Sequence, residues 1–314
     1  MMVVDRNLFS PLGIFFLIVF GIKSIVSLLG NGFILAVNGQ SWLRSKKMLP
    51  CEFLLTILSL SRFLLQWVIV SSQFVYFSSP ETYTYGINQQ AFSLSWMYLN
   101  IASLWCATWL NVFYCVKVIN FAHQFFVWLK PRIGVLVSRF LGISLLAFII
   151  CSVPPIMTYY EEKNCRNHIG TLAEDISRSE TCGSRLLTKL SPLQFSFTAI
   201  NFSICLMASL VLLLSLWRHT RNLKKGGLSP KDLSTKAHLR VMKPLLLLLF
   251  FYIVHFPAMI IVMGDILQYG KLERLISDIV LASYPSAHSV ILIVTNPKLK
   301  KAYIHILNLK RSAS

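Results

Sequence analysis

The sequence predicts an all-α membrane protein: a bundle of seven transmembrane helices, N-terminus extracellular and C-terminus cytoplasmic. Three observations lead there. Hydrophobic residues make up 55% of the 314 and charged residues only 13%, about half the charge of an ordinary soluble domain. Seven apolar runs lie at approximately 11–37, 52–77, 91–116, 134–157, 191–217, 243–263 and 275–295, each long enough for a bilayer core of about 30 Å. The lysines and arginines between those runs are divided unequally between two sides.

With the N-terminus outside, nineteen Lys and Arg fall on inner segments: Arg44, Lys46 and Lys47; Lys117, Lys130 and Arg132; eight from Arg218 to Lys243; five from Lys298 onward. Eight fall outside, and only Glu52 and Asp232 among the acids lie inside. The positive-inside rule sets the orientation from that imbalance. The net charge of +18 therefore describes a cytoplasmic face that meets membrane lipid and a cytosolic partner. It does not describe a nucleic-acid stripe, because no folded domain carries it. The whole chain reads as one receptor-like domain, 1–314.

The first run follows only about ten residues and is too long for a signal-peptide core, so it acts as its own insertion signal. The second carries Arg62, a cation with no acid in its own helix. It predicts a polar network with Asn31 of the first run and Ser289 of the seventh. The third, from Trp96 to Cys115, is apolar but holds Asn100, Asn111 and three tryptophans. It stops at Lys117, passes into a short amphipathic loop ending at Lys130, and reads as the central helix. In the fourth, Arg139 snorkels inward. The polar loop that follows holds Cys165 and Cys182, which an oxidising compartment allows to pair; the other five cysteines read as packing residues. In the sixth, Pro257 beside His255 removes a backbone donor and predicts a kink, as Pro285 does in the seventh. Asp278 lies about one turn into the seventh run. The tail NPKLKKAYIHILNLK reads as a basic amphipathic helix on the inner leaflet.

Other classes lack support. No period-two pattern suggests a barrel, no repeat suggests a transporter, and no Cys/His spacing suggests a metal. No H-x-x-x-H with a carboxylate, no G-x-S-x-G and no paired intramembrane acids suggest catalysis. No cofactor and no reaction are expected. Seven helices with short loops and an outside N-terminus define a G-protein-coupled receptor; a small-solute transporter is the alternative from a different class.

The run WMYLN…LWCATWLNVFYCVKVINFAHQFFVWLK resembles the third helix and second inner loop of the bitter taste receptors, the type 2 taste receptor family. Further matches occur in order: LGNGFI at 29–34, Ser61–Arg62 with Gln66–Trp67, LLSLWRH at 213–219, STKAH at 234–238 and HSVILIVTNPKLKKA at 288–302. D-R-Y after the third helix and N-P-x-x-Y in the seventh are both missing. A vomeronasal type 1 receptor is the near alternative; the N-P-K-L-K tail and W-L-K loop argue against it. The resemblance implies a multi-pass plasma-membrane receptor for small bitter agonists that activates a gustducin-like heterotrimeric G protein.

It also implies site residues, each with a plainer reading beside it. Trp96 and Asn100 share a helix face and would line a ligand pocket; otherwise Trp96 belongs to an interfacial belt and Asn100 joins helices. Asp278, ten residues before His288–Ser289, matches a ligand-contact position, or else pairs with Arg274. His255 stands where the family often has Tyr and would line the pocket floor or sit satisfied in the core. Asn31, Arg62, Pro257, His288 and Ser289 would be structural or switch residues. Tyr114, Lys117, Lys130, His219 and His238 would face the G protein; otherwise this set is topological charge that anchors to lipid. Family members usually carry N-x-S/T in the second outer loop. This chain has only Asn201-Phe-Ser, inside the fifth run.

Overall fold

The computed structural model describes residues 10–78, 87–118, 124–169, 181–225, 233–263 and 272–312. They form eight helices: α1 (Pro11–Ser45), α2 (Pro50–Ser78), α3 (Ile87–Val118), α4 (Gln124–Ile169), α5 (Thr181–Lys225), α6 (Leu233–Met263), α7 (Leu272–Thr295) and α8 (Pro297–Ser312). The first seven contain the seven apolar runs, and α8 is the amphipathic tail. Each of α1 to α7 reaches beyond its run at one end or both. An apolar run measures the crossing of the hydrocarbon. The helix itself continues as long as its residues, here often Lys, Arg, Gln and Leu, favour helical backbone. The amphipathic segment before Lys130 is thus no separate loop from Gln124 on; it is the first turns of α4.

Helices α1 to α5 are each long and apolar enough to cross a membrane. Among the described residues α6 adds the apolar helix Leu246–Val262, and α7 from Ile279 reaches a crossing when counted together with α8. The described residues are all-helical apart from short connections, with five or six such spans among them by length and composition.

Local signals set the ends. Ser10 Oγ accepts from Gly13 N at 3.1 Å, with Pro11 at the first helical position, where a missing N–H costs nothing. Lys46 closes α1 in the left-handed region (φ 54°), its N–H bonded to Trp42 O at 2.8 Å, a capping geometry more often taken by glycine. Asn296 Oδ1 receives Lys298 N at 3.0 Å and Leu299 N at 3.3 Å. The Asn-Pro pair therefore starts α8 as an N-cap followed by proline.

The helices close a ring, α1 against α2 and α7, α7 against α6, α6 against α5, α5 against α4. Helix α3 lies within it, against α2, α4 and α5. Its apolar stretch is 67% buried, against 17% in α1 and 22% in α4 and α5, so it is the central helix that its tryptophans and asparagines predicted. Two glycines permit close approach. A Cβ on Gly134 would lie 2.6 Å from Pro50 Cγ, where α4 meets the start of α2, and one on Gly30 would lie 2.9 Å from Ser289 Oγ, where α1 meets α7.

Candidate functional site

Four helices converge on one apolar cluster inside the bundle. Leu104 of α3, Cys205 of α5, Tyr252 and Met259 of α6, and Leu281 and Tyr284 of α7 are buried together, with Trp96 packed on them. Trp96 also touches the main core around Met97 and Ile101, so its ring points inward rather than serving only as a belt. Asn100 is buried one turn below it and donates from Nδ2 to Met259 Sδ at 3.7 Å, a weak acceptor that leaves the amide available.

His255 is held by a bond that the sequence explains. Pro285 has no N–H, so the carbonyl four residues earlier, Leu281 O, loses its helical donor. His255 Nδ1 lies 2.8 Å from that oxygen. A carbonyl only accepts, so the ring proton is on Nδ1. His255 is buried and its Nε2 has no partner among the described residues. The ring stacks on Tyr252 (6.4 Å between centroids) and leans on Tyr284 (5.2 Å). Pro257, two residues on, faces outward from a continuous α6.

Below this cluster sits Arg62, one of the most buried side chains of the protein. Its Nε donates to Ser103 Oγ at 3.0 Å and its Nη1 meets His288 Nδ1 at 2.7 Å. Its guanidinium lies 5.3 Å from the Tyr284 ring centre. The expected partners differ from these. Asn31 Nδ2 donates to Ser27 O at 2.9 Å and Ser289 Oγ to Ser286 O at 2.8 Å. Short polar side chains on a helix find a carbonyl three or four residues back. Both are satisfied at home, and Arg62 joins α2 to α3 and α7 instead. The link between α1 and α2 is Gln66 Nε2 to Ser24 Oγ at 2.9 Å.

The profile of the family Taste receptor protein (TAS2R) matches residues 8–311. The chain belongs to the type 2 taste receptor family. It is similar to taste receptor type 2 member 3 of Homo sapiens, 33% identical over 305 residues covering 93% of this chain and 92% of the relative. Member 7 of Rattus norvegicus is 31% identical over 91% of each chain. Member 8 of Pongo pygmaeus is 32% identical over 96% of this chain and 97% of its own. This family consists of bitter taste receptors of the plasma membrane, G-protein-coupled receptors rather than enzymes. That removes both the vomeronasal and the transporter alternatives.

At the other end of this taste receptor, Tyr114 is half-buried against the core, and Lys117 is exposed with its Nζ 5.9 Å from the Phe113 ring centre. Lys130 is half-buried on α4. Helix α8 is tied to the start of α2 by Lys298 Nζ and Glu52 Oε1 at 2.6 Å. Asp278, His219, His238, Cys165 and Cys182 fall on α7, α5, α6, α4 and α5, but their side chains lie outside the described residues, and so does the proposed sulfur pair.

Sequence reasoning missed one centre. Asn201 Oδ1 receives both Tyr252 Oη at 2.6 Å and Thr108 Oγ1 at 3.1 Å, joining α3, α5 and α6. Asn111 Nδ2 adds a second α3–α5 tie to Ser209 Oγ at 2.7 Å. The signal was present: an asparagine inside an apolar run is costly unless paired. Asn201 had been noticed only for its N-x-S triplet, and its complete burial is that of a structural residue.

Proposed function

We propose that the receptor crosses the membrane seven times as a single domain, N-terminus outside, and binds bitter agonists among Trp96, Asn100, His255 and Asp278. The observation that carries this reading is the convergence of Trp96, Asn100 and His255, from α3 and α6, on one apolar cluster shared with α7. A flat apolar wall with one amide and one imidazole suits small, mostly apolar molecules bearing one or two polar groups. Asp278 is three residues before Leu281 on α7, about 4.5 Å higher along the axis, and adds selection for cationic or hydrogen-bond-donating ligands.

An agonist that prefers the inward-open form shifts a two-state equilibrium toward it. Pro257 and Pro285 act as pivots, and Tyr114, Lys117, Lys130, His219 and His238 meet a gustducin-type G protein. The test is a bitter-compound panel read by calcium release in cells carrying a chimeric G protein, with Asn100→Ala and Asp278→Asn alongside. Loss of potency for a subset of agonists at unchanged surface level supports the pocket. Unchanged potency for every agonist in both variants overturns it. An amino-terminal epitope tag that stains intact cells fixes the orientation; staining only after permeabilisation refutes it.

A further inference from the structure

The junction of α2, α3 and α7 holds hydrogen-bond donors in excess of acceptors. Arg62 Nη2 is buried and has no partner, and Ser59 Oγ, one turn earlier on the same side of α2, is buried and unpartnered too. A guanidinium carries no acceptor, so Nη1 donates to His288 Nδ1. The His288 proton is therefore on Nε2, and the ring is neutral. The Ser103 oxygen already accepts from Arg62 Nε, so its hydroxyl hydrogen can turn into the junction. All four groups can donate to one acceptor, and two of them, Arg62 Nη2 and Ser59 Oγ, are buried without a partner.

Tyr284 faces the guanidinium, but no carboxylate among the described residues neutralises its charge. Among the described residues the ion pair of the bundle is Glu52–Lys298, and Glu52 lies ten residues before Arg62 on α2, about 15 Å along the axis. Asp278 is likewise ten residues from His288. Water would satisfy the donors but leave a full charge in the membrane interior, which is expensive without a counter-charge. A single small anion does both.

We propose that Arg62, Ser59, Ser103 and His288 form a binding site for a small monovalent anion, chloride in ordinary saline. A halide there accepts from donors on three helices at once and stiffens their junction. It lies apart from the proposed agonist pocket, so the test needs no agonist. The melting temperature of the purified receptor in detergent is measured in sodium chloride, bromide and gluconate at one ionic strength. Chloride and bromide are expected to raise it saturably, by about 3 °C at tenfold excess over Kd, and gluconate not at all. Ser103→Ala keeps the charge and removes one donor, and should weaken halide affinity severalfold; Arg62→Gln should abolish the dependence. Equal melting in chloride and gluconate for the unaltered receptor overturns the proposal and assigns the donors to water. Full halide dependence retained in Ser103→Ala, or in Arg62→Gln where that variant folds, overturns it by placing the effect elsewhere.

Discussion

Replacing Asn201 with alanine removes the oxygen that receives Tyr252 Oη at 2.6 Å and Thr108 Oγ1 at 3.1 Å. Hydrogen bonds between membrane helices average about 0.6 kcal/mol and reach about 1.7. Two lost together should cost about 1–3 kcal/mol, because the freed donors sit where no water replaces the acceptor. Tyr252→Phe removes one bond and leaves Thr108 paired, so it should cost half that or less. The double variant should cost less than the sum of the two, by about 0.6–1.7 kcal/mol, the worth of the shared bond. Equilibrium unfolding of the purified receptor in mixed micelles, titrated with a denaturing detergent, measures all three. Strict additivity would refute the reasoning, since it means that Tyr252 and Asn201 act separately. So would a Tyr252→Phe cost as large as that of Asn201→Ala, because it leaves nothing for Thr108 to contribute.

Gly134→Ala should destabilise the receptor by about 1–3 kcal/mol through its collision with Pro50; Gly21→Ala, with nothing within 4 Å, should be neutral or stabilising by up to about 1 kcal/mol in the same unfolding assay. Glycosidase treatment should leave the gel mobility of the receptor and of Asn201→Gln alike, since the triplet is inside α5; a mobility shift lost in Asn201→Gln contradicts that. Pro285→Ala restores a helical donor for Leu281 O and takes the acceptor from His255. It should change maximal calcium response severalfold in the same direction as His255→Ala, with no further change in the double variant.

Much of the architecture was legible because lipid makes hydropathy a geometric signal: a run of about 20 apolar residues is a crossing, and the seven long helices enclose those runs. The centrality of α3 was legible for the same reason, since amides and indoles are tolerated only where other helices surround them. The helix lengths were not, because the short amphipathic Gln124–Lys130 and the polar Arg218–Lys225 lie outside any crossing run yet sit on helical backbone. Polar partners were not legible either. A lone cation in an apolar run marks Arg62 as needing partners, but Asn31 and Ser289 could satisfy themselves locally, and one sequence cannot say that they do. The bond from His255 to Leu281 could have been derived: a proline in α7 frees a carbonyl one turn back, and a buried histidine needs a partner.

That last bond bears on how two levels of the bundle communicate. Leu281, Tyr284 and His288 are spaced three and four apart, so they share one face of α7. The first meets His255, the second touches both His255 and the Arg62 guanidinium, and the third bonds Arg62. A helix is stiff along its axis on this scale. Any displacement of α7 that loosens the His255 contact must also alter the seat of Arg62 two turns below, and through it Ser103 of α3. Coupling by a rigid element with discrete contacts at each end requires no chain of small side-chain adjustments. It requires only that α7 have two positions.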